Sequence, residues 1–359
     1  MSSFNRRQFI TGCSTGIAVA SMGISRHALS HTQPRQAQYQ ETLRGNQFNL
    51  HINQQTINVT GKTRQVVTIN GSSPAPTLYM KEGEIVTIHV HNHLNEDSSI
   101  HWHGLLVPSA MDGVPHLSFA GIKPNQEFTY QFQLKQSGTY WYHSHSGWQE
   151  QLGMYGALII EPADGDTIKA DREHVLVLSD WTDDNPANLF RYLKSESDFD
   201  NYQQPTFEEL WHDIRQLGFK RAFAKRQMWN QMRMSPTDFS DLSGITTFTY
   251  LLNGSTSLAN WTALFNRGET VRLRIINASA QSIFDFRIPE LDMTVVGTDG
   301  GLVEPVTVDE IRIGVAETYD VLVKPQADAY PLFAQDIARS GFISGTLAVQ
   351  QGLSAPIPA

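Results

Sequence analysis

Gly83-Glu84-Ile85-Val86-Thr87-Ile88-His89-Val90-His91-Asn92-His93 alternates apolar Val86, Ile88 and Val90 with more polar residues. That is the period of two expected where one strand face is buried and the other meets water. His89, His91 and His93 share the outer face, a tempting metal triplet. With the apolar face turned inward, these histidines are expected in solvent, where they can still take up a stray divalent ion. The stretch recurs: Gly268-Glu269-Thr270-Val271-Arg272-Leu273-Arg274-Ile275-Ile276-Asn277 repeats residues 83–92, and Asn253-Gly254 repeats Asn70-Gly71. Gly345-Thr346-Leu347-Ala348-Val349 echoes Gly156-Ala157-Leu158-Ile159-Ile160. Two copies of one β-unit follow, and many short alternating strands with Gly and Pro turns argue for an all-β fold of two Greek-key β-sandwiches.

Within the first copy, Ile100-His101-Trp102-His103-Gly104 and Tyr140-Trp141-Tyr142-His143-Ser144-His145-Ser146-Gly147 each hold two histidines one residue apart. Both read as strands. Side chains at i and i+2 leave one face about 6.5 to 7 Å apart, so each pair presents two imidazoles in one direction, spaced for two neighbouring ions more readily than for one. Imidazole suits copper, zinc, iron or nickel. The competing reading is plain strand polarity. Two pairs flanked by core residues (Trp102, Trp141, Tyr142) weigh against it, because unpaired polar groups beside buried surface are costly.

His-Trp-His-Gly followed by Trp-Tyr-His-Ser-His-Ser-Gly resembles the first two copper-binding motifs of multicopper oxidases. Residues 110–115, 149–151, 178–183 and 316–321 carry the likeness on to the periplasmic copper-resistance (CopA-type) branch, over about residues 45 to 355. The resemblance implies cupredoxin-like domains, copper as cofactor, His101 as a type 2 copper ligand, and His103, His143 and His145 as type 3 ligands. These are four of the family's eight cluster histidines. Asp112 matches an acidic residue near the cluster, where a carboxylate orients water and supplies protons; an Asp-Gly turn residue is the alternative. The implied partners are copper ions, O2 and a reduced substrate such as Cu(I), a phenol or a catechol.

The chain has 359 residues, 40 % of them hydrophobic, and a formal net charge of −9. That is ample for two cores and gives no electrostatic reason to expect nucleic acid or an anionic membrane. Arg6-Arg7 ahead of a weakly apolar run reads as a twin-arginine signal over residues 1–31, which implies a periplasmic destination. No other run is apolar enough to span a bilayer. The only cysteine, Cys13, lies in that leader, so the mature chain is expected to form neither a disulfide nor a His₂Cys blue-copper site.

Residues 31–47 read as a linker, 45–165 as the first domain, 166–352 as the second, and 353–359 as the start of a truncated linker. Between about 186 and 235 the period lengthens. Phe207, Leu210, Trp211, Ile214 and Leu217 follow helical spacing behind a Thr206/Glu209 capping box, so a helical insertion is expected to lay this stripe on the second sandwich. Met228, Met232 and Met234 are core fillers or Cu(I) thioether ligands. In the second copy His101 and His103 fall on Phe286 and Ile288, and no histidine follows His212; that copy reads as scaffold. Two function classes stay open. One is an oxidase, inactive without a missing or separately encoded third cupredoxin domain; the other is a non-enzymatic copper-sequestration protein. The intact histidine motifs disfavour a copper-free scaffold.

Overall fold

The computed structural model describes residues 41–196, 199–200, 205–227 and 245–358. The leader with Cys13, and Met228, Met232 and Met234, lie outside them. The first set of strands is β1 (Thr42–Arg44), β2 (Gln47–Asn58), β3 (Thr63–Ile69), β4 (Ala75–Lys81), β5 (Ile85–Asn92), β6 (His101–His103), β7 (Glu127–Gln133), β8 (Gly138–His143) and β9 (Tyr155–Glu161). They form two sheets, ordered β3-β2-β5-β7 and β1-β4-β9-β8-β6. Val86, Ile88 and Val90 of β5 are fully buried between them, alongside Phe48, Leu50 and Ile52 of β2. The linker expected to reach residue 47 ends earlier, because β1 pairs with β4 and Leu43 packs on the core. β2 runs unbroken through its polar middle, held straight by pairing with β3 from Ile52 to Asn58.

The second set is β10 (Arg172–Thr182), β11 (Phe248–Leu252), β12 (Ser255–Thr256), β13 (Thr262–Leu264), β14 (Val271–Asn277), β15 (Phe284–Arg287), β16 (Met293–Thr298), β17 (Gly301–Val308), β18 (Glu310–Ile313), β19 (Thr318–Val323), β20 (Ala329–Asp336) and β21 (Phe342–Ala348). Its sheets run β12-β11-β10-β14-β19-β16-β17 and β13-β21-β20-β15-β18. The order β11-β10-β14-β19 copies β3-β2-β5-β7, and the central pair is parallel in both. Two repeated asparagines show why the motif recurs. Asn70 and Asn253, both at positive φ, accept the backbone N–H of His51 and Val177 respectively and so close equivalent turns. Asn92 and Asn277 are buried at the ends of β5 and β14, where each amide donates to two or more carbonyls of the following loops. A buried amide so used satisfies groups that would otherwise be stranded.

Helices α1 (Pro186–Ser195), α2 (Phe207–Leu217) and α3 (Phe219–Lys225) follow β10. Asn185 caps α1 with Pro186 at its first position, and Leu189 and Leu193 pack on the second core. The α2 capping box forms as expected. Its apolar stripe is not buried: among the described residues Phe207 is 80 % and Trp211 50 % exposed. The helix turns inward the face that carries Asp213, which accepts from Lys225 Nζ at 3.1 Å and lies 3.6 Å from Arg226. The reversal at Gly218, with φ +78°, folds α3 back along α2, and this ion pairing orients the hairpin. No helix among the described residues is long and apolar enough to cross a membrane.

The sandwiches meet through β8 and β9. Tyr140 and Tyr142 of β8 enter the first core, while Trp141, Tyr155 and Ala157 pack against Val177, Ile276 and Ala278 of the second unit. Asn277→Ala strands Ser279 N–H and several carbonyls, so it should lower stability by at least about 2 kcal/mol. Trp211→Ala removes a half-exposed ring and should cost about 1 kcal/mol or less. Thermal unfolding of both variants checks this ranking, and a larger loss from Trp211→Ala would contradict the placement of α2.

Candidate metal centre

β6 runs antiparallel to β8, which sets His101 opposite His143, Trp102 opposite Tyr142 and His103 opposite Trp141. Trp102 and Tyr142 are fully buried in the first core. Alternation therefore sends His101, His103 and His143 to the other face of the sheet. His145, expected on the same strand, lies past its end. There Ser144 Oγ accepts from Ser146 N–H and donates to Gln149 Oε1, and His145 N–H donates to Ser99 Oγ at 3.1 Å. Buried Gln149 gathers this loop: its Oε1 also accepts from Ser98, and its Nε2 donates to Glu96 and to the Asp97 carbonyl.

The rings come closer than strand spacing alone requires. Ligand nitrogens of His101, His143 and His145 all lie within 4.8 Å of one another, and His103 Nδ1 stands 3.3 Å from His143 Nε2. The four imidazoles form one cluster, not two pairs aimed apart. His101 Nδ1 donates to the Asp112 carbonyl at 2.7 Å, with the Asp112 carboxylate 3.4 Å away. His143 Nδ1 donates to Glu150 Oε2 at 2.9 Å. An Nδ1–H so engaged leaves Nε2 with its lone pair outward, the form a metal takes. Trp141 stacks on His143 with ring centroids 4.0 Å apart, and its indole N–H donates to the Ala316 carbonyl of the second unit.

Gly113 makes the approach of Asp112 possible. Its φ is +79°, and a Cβ there would meet the Ile100 carbonyl oxygen at 1.8 Å, so only glycine lets this loop lie against the start of β6. Burial, then the neighbouring rings of His143, His101 and His145, pull the His103 pKa down to about 4. Burial also lowers His101, against the opposing pull of Asp112, and lowers His145 with help from His143 and His101.

Of the residues singled out in the sequence, His101, His103, His143 and His145 come together, with Asp112 beside them. His89, His91 and His93 stand apart on the outer face of β5, in the other sheet. Sequence reasoning gave Glu150 no role, although it lies in one of the matching segments. His51, which stacks on His91 across the β2–β5 pair, was missed altogether, since nothing local marks it.

Family models described as multicopper oxidase match residues 51–165 and 172–351. The chain is 51 % identical over 358 residues to copper resistance protein A of Escherichia coli and 48 % identical over 354 residues to that of Pseudomonas syringae pv. tomato, covering 99 % of this chain in each case. It spans 58 % of the length of either relative. Among solved structures it is similar to Fet3p, a multicopper oxidase that functions in iron import (TM-score 0.67, 26 % identity, 88 % of this chain and 54 % of that one). It is also similar to a laccase from Botrytis aclada (TM-score 0.63, 26 % identity, 88 % and 55 %). The sandwiches are of the cupredoxin-like kind found in these proteins.

The depressed histidines fix a pH response. A ring with a folded pKa below its unfolded value of about 6.5 binds fewer protons in the folded state, so stability falls as pH drops from about 6.5 towards 4. Proton NMR titration of the metal-free chain should place the His103 midpoint near 4. A midpoint at the ordinary histidine value would contradict the packed cluster.

Proposed function

The chain belongs to the multicopper oxidase family, and from that premise we propose that it contributes half the ligand set of a copper cluster in a copper-resistance oxidase. His101 serves as the type 2 copper ligand, and His103, His143 and His145 serve the type 3 coppers. The observation that carries this reading is the convergence of four imidazoles on one sheet face, with carbonyl and carboxylate groups behind two of them. The donor set fits copper: nitrogen ligands of intermediate softness, lone pairs outward behind the Asp112 and Glu150 contacts, and the rings of His101, His103 and His145 held towards neutral by burial. Copper, when bound, supplies one-electron chemistry between a reduced substrate and O2. The protein's part is to hold His101 through Asp112 and His143 through Glu150, and to keep the Asp112 carboxylate close enough to pass a proton at that edge.

The remaining ligands and the thiolate-bound copper are assigned to a third cupredoxin domain. The place of action is the periplasm, reached through the twin-arginine signal, and Cu(I) is the substrate the copper-resistance relationship favours. A second reading, copper sequestration without turnover, is favoured by one observation: His51, His91 and His93 gather on a separate sheet. Oxygen consumption restored by adding a separate third domain would select the oxidase, and copper uptake with no such rescue would select sequestration.

Cu(II) titration of the purified chain, followed by electron paramagnetic resonance, should give nitrogen-ligated signals and no intense blue band. His101→Ala with His143→Ala should abolish binding at the cluster, and Glu150→Gln should weaken it about tenfold. Unchanged binding in the double variant would overturn the assignment.

A further inference from the structure

We propose that His51, His91 and His93 form a second metal site, on the outer face of the β3-β2-β5-β7 sheet, which takes a divalent transition-metal ion with Cu(II) preferred, and that Glu127 orients His91 within it. The site stands on a different sheet from the cluster on β6 and β8 and does not depend on the function proposed for that cluster.

Parallel pairing of β2 with β5 registers His51 directly against His91. The ladder continues one residue past the end of β5, because His93 N–H donates to the Ile52 carbonyl at 3.0 Å. His93 is thereby brought beside His51. Their rings are nearly parallel, 12° apart, and His51 Nδ1 is hydrogen-bonded to His93 Nε2 at 3.1 Å. Two nitrogens bound to one ion at about 2.0 Å lie about 3 Å from each other, so an ion that displaces the proton shared by this hydrogen-bonded pair needs little change in their separation. The backbone beneath is fixed: the N–H of His51 donates to Asn70 Oδ1 at 2.8 Å, just past the end of the β2–β3 pairing.

His91 supplies the third donor. Its ring stacks on His51 with centroids 4.5 Å apart, and its Nδ1 faces Glu127 Oε2 at 3.4 Å. A carboxylate behind Nδ1 leaves Nε2 as the ligating nitrogen, the arrangement that raises ligand basicity at histidine–metal sites. The other Glu127 oxygen is held by His89 Nδ1 at 2.9 Å, and His89 also contacts Thr129 Oγ1. His89 therefore positions Glu127 and is not a ligand. Rotation of the half-exposed His91 ring about its own side-chain bonds, a fast motion at an open surface, turns Nε2 towards the His51–His93 pair. A set of imidazoles favours Cu(II) over the other first-row divalent ions.

The test uses the full chain and Cu(II) alone at pH 7.5, with equilibrium dialysis for stoichiometry and electron paramagnetic resonance for the sites. His51→Ala with His93→Ala should lose one bound equivalent and its signal while the cluster signal persists. His101→Ala with His143→Ala should do the reverse. Glu127→Gln should weaken the outer site about tenfold and leave its stoichiometry intact. His51→Gln with His93→Gln, which keeps polar side chains on the strands, must reproduce the loss with an unchanged circular dichroism spectrum. Full copper uptake by the outer-face variants, or equal loss of both signals from the folded glutamine variant, would overturn the proposal.

Discussion

Thr139 of β8 joins the two sandwiches. Its hydroxyl donates to Asp320 Oδ1 at 2.6 Å and accepts from Arg274 at 2.8 Å, and its carbonyl accepts from Thr318 Oγ1 at 3.0 Å. Asp320 also takes Arg272 at 2.5 Å, and Arg274 reaches Glu173 at 3.0 Å. Both arginines and Asp320 are buried. Breaking one partner of such a network costs about 3–5 kcal/mol, because an uncompensated charge stays behind. Polar pairing therefore fixes the relative position of the units more strictly than the small apolar patch around Trp141 could.

The same strand carries part of the histidine cluster. Thr139, Trp141 and His143 alternate onto one face of β8, so the contacts that seat Thr139 and Trp141 on the second unit also set where His143 stands. Gln151, next to Glu150, donates to Asp180 of β10, and Asp180 in turn accepts the N–H groups of residues 280–282. Among the described residues the second unit adds no histidine to the cluster, yet it braces the cluster from the strand side and from the loop side.

The sandwiches were legible because period-two alternation and the repeated asparagines are local signals with direct structural causes. His101, His103 and His143 were legible for the same reason, as spacing on strands, and His145 falls beside them although a loop and not the strand carries it. Three features were not. Alternation alone sends Arg272 and Arg274 to solvent, and only the docking of a whole unit buries them. The α2 stripe reads as a core face, but the helix turns inward the face that carries Asp213, paired with Lys225 and Arg226. His51 has no partner within its own strand, and its meeting with His91 and His93 depends on a parallel pairing between segments far apart in the sequence. Segments 178–183 and 316–321, matched as family motifs, serve here as interface: Asp180, Ala316, Thr318 and Asp320 bind across it.

The half-site reading rests on four imidazoles gathered at one edge of the first sandwich. Anomalous diffraction at the copper edge from crystals soaked in Cu(II) tests it directly. The expected result is a peak within bonding distance of His101 Nε2 and further copper density at His103, His143 and His145, with no sulfur among the ligands. Copper density only elsewhere on the molecule, with the cluster histidines left unligated, would contradict it.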